Sequence, residues 1–92
     1  MPLRAVNQFF ALPAGVPTLV LRENLKRQGL CIYNPNAGII QLIWGSTASA
    51  QGIALPSGST RVFDYATPVD QLFINCPAGG NCCIEEITES SF

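Results

Sequence analysis

The side chains best suited to chemistry in this 92-residue chain are four cysteines and six acids, and no histidine accompanies them. The commonest general base and a frequent metal ligand are therefore missing. Asp64 and Asp70 are separated by a strand end and a proline-containing turn. That spacing does not bring two carboxylates to one cleft, as glycoside hydrolysis requires. Glu85 and Glu86 are neighbours in a predicted strand, so they point to opposite faces, and one of them suits an edge or a bulge. Cys82 and Cys83 diverge in the same way, with no adjacent Lys or Arg to lower a thiol pKa. Gly79-Gly80 precedes a strand, whereas a phosphate cradle needs a helix N-terminus. The expectation is a protein that is not an enzyme and carries no cofactor or metal.

The cysteines are Cys31, Cys76, Cys82 and Cys83. Cys76 and Cys82 flank Pro77-Ala78-Gly79-Gly80-Asn81, which reads as a hairpin loop that could set the two thiols face to face. Three states stay open. Free, buried thiols behave as small hydrophobes. A Cys76–Cys82 disulfide would need an oxidising surrounding. Zinc usually takes paired Cys-x2-4-Cys spacing or histidines, and neither occurs here.

The elements that must position these residues are strands. Helix formers cluster only over 23–28, stop at Gly29 and show no sustained 3.6-residue period. Short β-branched runs lie between Pro, Gly and Asn punctuation. They predict strands over 4–12, 18–22, 30–33, 39–44, 53–55, 59–65, 71–76 and 82–88. Such spacing is the mark of an all-β, antiparallel β-sandwich or jelly-roll-like barrel. The domain layout is an N-terminal strand or arm over 1–12 and a single sandwich over 13–92. Alternation puts Ile40, Leu42 and Trp44 on one face, yet Ile39, Ile43 and Phe73 make the second face apolar too. A sheet covered on its outer side, or residues near the sandwich edge, would show this pattern.

Composition indicates what such a domain does. Hydrophobic residues make up 48% and charged residues 12%, so few charges remain to coat a small core. About 25% charge is usual. Exposed apolar patches are expected, and these mark interfaces. Net charge is −1 with no basic cluster, which argues against nucleic acid. No apolar run is long enough to span a bilayer, and the N-terminal residues lack a signal-peptide layout. Synthesis in the cytoplasm without export by the usual route is the expectation. The candidate contact residues are Leu3, Val6, Phe9, Phe10, Ile39, Ile43 and Phe92, with the 45–51 loop as a second contact region and Trp44 and Tyr65 as platforms for a receptor.

A family pattern runs through these turns. Asn24-Leu25-Lys26-Arg27-Gln28-Gly29-Leu30-Cys31-Ile32-Tyr33-Asn34-Pro35-Asn36 leads to Ile40-Gln41-Leu42-Ile43-Trp44-Gly45, then to Gly52-Ile53-Ala54-Leu55-Pro56-Ser57-Gly58 and Phe63-Asp64. Over about residues 18–88 the chain resembles the small β-sandwich decoration, or cement, proteins of tailed bacteriophage capsids. The resemblance implies a structural virion protein on the capsid surface, bound to the major capsid protein as a dimer or trimer. A tail- or fibre-associated receptor-binding module is the second form of the same expectation. The four cysteines and the apolar first segment depart from the family pattern.

Overall fold

Runs of β-branched and aromatic residues punctuated by Pro, Gly and Asn fold into eight strands in the computed structural model, which describes residues 2–45 and 52–89. They are β1 (Leu3–Leu12), β2 (Thr18–Leu21), β3 (Arg27–Tyr33), β4 (Ile40–Trp44), β5 (Ile53–Leu55), β6 (Thr60–Phe63), β7 (Leu72–Asn75) and β8 (Gly80–Glu89). No helix occurs among the described residues. One sheet has the order β1-β8-β3-β6 and the other β2-β7-β4-β5, all antiparallel. Successive strands alternate between the sheets except at the β4–β5 hairpin, which is the topology of an eight-stranded jelly roll.

The core follows from the two-residue period. In the first sheet Leu12, Leu30, Ile32, Cys82 and Ile84 point inward, and in the second Ile40, Leu42, Leu55, Leu72 and Ile74 meet them. Phe10, Trp44 and Phe63, partly buried, pack against this cluster. Full burial of each large aliphatic side chain contributes about 1.5–3 kcal/mol, so these two facing layers supply most of the stabilisation.

Two polar centres lie inside this apolar frame. Asn34 is completely buried just past β3. Its Nδ2 donates to the Gly38 and Leu55 carbonyls, each at 2.9 Å, and its Oδ1 accepts from the Asn36 backbone N–H at 2.9 Å and from Asn36 Nδ2 at 2.8 Å. Asn36 in turn brackets Asn81, donating to its carbonyl at 2.7 Å and accepting from its N–H at 2.8 Å. The Asn-Pro-Asn turn is thus tied to the start of β8. Gly80 is required there, because a Cβ would overlap the Asn36 amide.

The second centre is Arg27. The sequence pattern starts this strand at residue 30 and leaves Arg27 in a polar loop, whereas β3 begins at Arg27 itself. The residue is buried and pairs with Thr88, with a register irregularity before Gly29. The disturbance expected at Glu85 or Glu86 is not there: both keep regular register, and the irregularity lies in β3 between Arg27 and Gly29, opposite Thr88 and Ile87.

Of the two forms expected for the first segment, strand or arm, residues 3–12 take the strand, since β1 pairs with β8 along its whole length and Leu12 is core. One expectation about a segment changes. The 77–81 segment is not a hairpin within one sheet: β7 and β8 belong to opposite sheets, so it crosses the sandwich. Cys76 and Cys82 are both buried and both free thiols.

Candidate functional site

The candidate surface is built from β1, β8, β3 and β6. Register places Phe9, Cys83, Tyr33 and Thr60 in one row across the outer face of this sheet. Asn7, Glu85, Cys31 and Val62 form the next row. Phe9 is 66% exposed, and Leu3, Tyr33 and Val62 are exposed as well. A shallow groove of about 350 Å³ runs among Phe9, Cys31, Tyr33, Cys83 and Glu85. An apolar outer face on a small domain is the form that interaction surfaces take.

The Cys31 thiol on this face is not activated. Burial, and then the Glu85 carboxylate opposite, push the Cys31 thiol above its ordinary value. Cys82, on the core side, is pushed up to about 12 by burial first and by Cys83 and Cys76 after it. A raised pKa keeps sulfur protonated and weakly nucleophilic, the reverse of a catalytic cysteine. Among the described residues no three His, Cys, Asp or Glu side chains gather where a metal ion could sit.

The two margins of the sandwich differ. At one margin β1 and β2 are edge strands, with a groove of about 780 Å³ between them. At the other margin β5 and β6 are the edges. There the layers part into a cleft of about 370 Å³, walled by Leu42, Trp44, Leu55 and Phe63. Trp44 and Phe63 meet edge to face with ring centroids 5.9 Å apart, and the Arg61 guanidinium lies 4.9 Å from the Phe63 centroid. Ile53 stands opposite buried Leu42, so it belongs to the inner face, yet it is 67% exposed. The four-residue β6 is too short to cover it.

The sequence-derived contact residues divide accordingly. Leu3, Phe9 and Ile39 are exposed. Val6 and Phe10 point inward and are half-buried, Phe10 against the core. Ile43 is corrected outright: it is 4% exposed, and Gly52 approaches so closely that a Cβ there would lie 2.8 Å from Ile43 Cγ1. Its apolar outer position is covered by the chain itself and not by a partner. Phe92 lies outside the described residues, as does the 45–51 loop beyond Gly45. Tyr65 is exposed, while Trp44 is half-buried beside Phe63, so the two receptor platforms have unlike settings. Sequence reasoning missed the β5–β6 cleft: the pattern runs the strand after Pro56-Ser57-Gly58 over 59–65, whereas β6 ends at Phe63.

Fold and surface together define a small jelly-roll domain with one apolar outer face and two dissimilar open margins. The fold is similar to that of a chain from Bacillus endospore appendages, which are described as a family of disulfide-linked pili. That alignment has a TM-score of 0.60 at 15% identity and covers 98% of this chain and 88% of the other. No protein-family model matches the sequence. No characterised protein matches it in sequence either. At this identity the likeness establishes the fold, and it corrects the expected virion role. The structural neighbour is a subunit of a spore appendage, so neither capsid decoration nor its tail-associated variant stands.

Proposed function

We propose that the chain is a non-catalytic structural subunit that associates with copies of itself into an appendage-like filament. The observation that carries this reading is β1. It is a ten-residue edge strand paired on one side only, by β8, and it exposes Leu3 and Phe9. Soluble domains usually blunt such an edge with Lys, Pro, a bulge or a cover. β1 has a single cation, Arg4, and no proline. An unblunted edge beside exposed aromatic side chains suits pairing with another chain. The partly exposed thiols Cys31 and Cys83 lie on the same face, where oxidation by a small-molecule disulfide could lock neighbouring copies together.

The test is sedimentation velocity and negative-stain microscopy on purified protein over a wide concentration range, with and without reductant. Concentration-dependent growth into elongated particles is expected, with reductant-sensitive covalent bonds forming once a small-molecule disulfide is added to the assembled particles and is itself reduced to two thiols. A protein that stays monomeric throughout overturns the proposal.

A further inference from the structure

We infer that the cleft between the β5 and β6 margins is the socket for Phe9 of a second copy, an assignment that rests on the self-association reading above. The socket is apolar and open. Its walls are Leu42, Leu55, Trp44 and Phe63, with Ile53 at the mouth. Concave clefts of this size with an apolar and aromatic lining are the form that binding pockets take. The inner-face position of Ile53, exposed although its neighbour Leu42 is buried, means the core is left unfinished at this margin. A side chain from outside would complete it.

The plug is found on the opposite margin. Phe9 lines both the groove between β1 and β2 and the groove on the outer face, so it stands on the ridge that separates them. It is the most exposed phenylalanine among the described residues. Three interstrand steps separate β1 from β6 in the sheet order β1-β8-β3-β6, which is roughly 14 Å. One copy therefore presents plug and socket at different sites facing different ways.

Charge supports the match. Among the described residues Arg61 is the only charged one lining the socket, and it has no ion-pair partner there. Among the described residues Glu85 is the only charged one lining the outer-face groove to which Phe9 belongs, and it is exposed. Seating Phe9 would bring the acid of one copy toward the base of the next. Opposite charges at the rim fix orientation and disfavour the inverted approach. Because the two patches differ, the contact is heterologous: it closes on itself only for special rotations and otherwise continues as an open chain.

The experiment uses two single variants of the whole chain, each altered at an exposed position so that the fold is spared. Phe9→Asp removes the plug and keeps the socket. Ile53→Asp spoils the socket and keeps the plug. Each alone is expected to lose self-association at least tenfold, while an equimolar mixture forms a one-to-one dimer that grows no further. Circular dichroism and urea midpoints check the fold. Phe9→Ala with Ile53→Ser repeats the test with gentler changes. If wild type associates and either variant does so equally well, the socket assignment is wrong while self-association stands. Variants that fail singly and also fail in the mixture overturn it too, since plug and socket would then belong to separate contacts. A wild type that never associates removes both readings.

Discussion

Arg27 Nε donates to Glu86 Oε2 at 2.7 Å, with the arginine side chain wholly buried and the glutamate nearly so. The other guanidinium nitrogens donate to the carbonyls of Pro68, Asp70 and Arg22 at 2.8–3.1 Å. One side chain thus fastens the loop before β3 and the loop before β7 onto β8. Removing one member of a buried pair leaves an uncompensated charge and costs about 3–5 kcal/mol. Glu86→Ala is expected to lower unfolding free energy by that order in urea, with little change in slope. Glu86→Gln, which keeps an acceptor, is expected to cost less. A loss under about 1 kcal/mol for the alanine variant would contradict this role.

The Asn36–Gly80 contact predicts a coupling. Gly80→Ala drives a methyl group into the Asn36 amide, which must then leave Asn34 and Asn81. Each buried polar group left without a partner costs about 1–3 kcal/mol. With Asn36→Ala already in place the added methyl meets less. The double variant is therefore expected to be more stable than the sum of the two single losses, by about 1 kcal/mol or more. Strict additivity in a thermal or urea double-mutant cycle would refute the contact.

Thiol reactivity should separate the cysteines by face. Cys31 and Cys83, partly exposed, are expected to react with iodoacetamide in the folded protein, while buried Cys76 and Cys82 wait for unfolding. Mass spectrometry of partially labelled protein reads the order. Equal rates at all four positions would contradict it.

Stability should also decline in alkali through Cys82. An unfolded thiol ionises near ~8.5, whereas the folded thiol stays protonated until about 12. Between those values the unfolded chain binds fewer protons than the folded one, so stability falls as pH rises. Below that window the contribution is complete and pH-independent. Cys82→Ala should flatten the fall in urea midpoint between pH 8.5 and 10.5, where the sign above predicts it. An unchanged slope would show that Cys82 is not its source.

Trp44 is the single tryptophan and walls the proposed socket. Filling the socket would shield it from water. Acrylamide quenching should therefore weaken as wild-type protein is concentrated, and should stay constant for Ile53→Asp. Quenching of wild type that ignores concentration while particles grow would place the contact elsewhere.

Most strands were legible because their ends are written in turn chemistry. Asn34-Pro35-Asn36-Ala37-Gly38 and Pro56-Ser57-Gly58 end β3 and β5 as expected, and the inward rows of β4 and β7 follow from simple alternation. The rest depends on contacts distant in sequence. Arg27 fell outside every predicted strand, because two of the three carbonyls that hold its guanidinium come from residues some forty positions away. Cys76 and Cys82 looked like hairpin partners, because nothing local distinguishes a hairpin from a crossing between sheets. Ile43 looked like a contact residue, since only the approach of Gly52 reveals its cover. Of the candidate surface, Leu3 and Phe9 could be named from position, but the cleft exists only once β6 is seen to end too soon.

The pairing of Leu3 with Glu89 brings the first and last strands together at one pole of the molecule. Tension applied through these two chain ends would peel β1 from β8 one hydrogen bond at a time, the weakest way to load an antiparallel ladder. A pull directed along the strands instead would shear the whole ladder at once. A fibre that bears load should therefore route force through contacts between whole domains and leave the polypeptide ends slack.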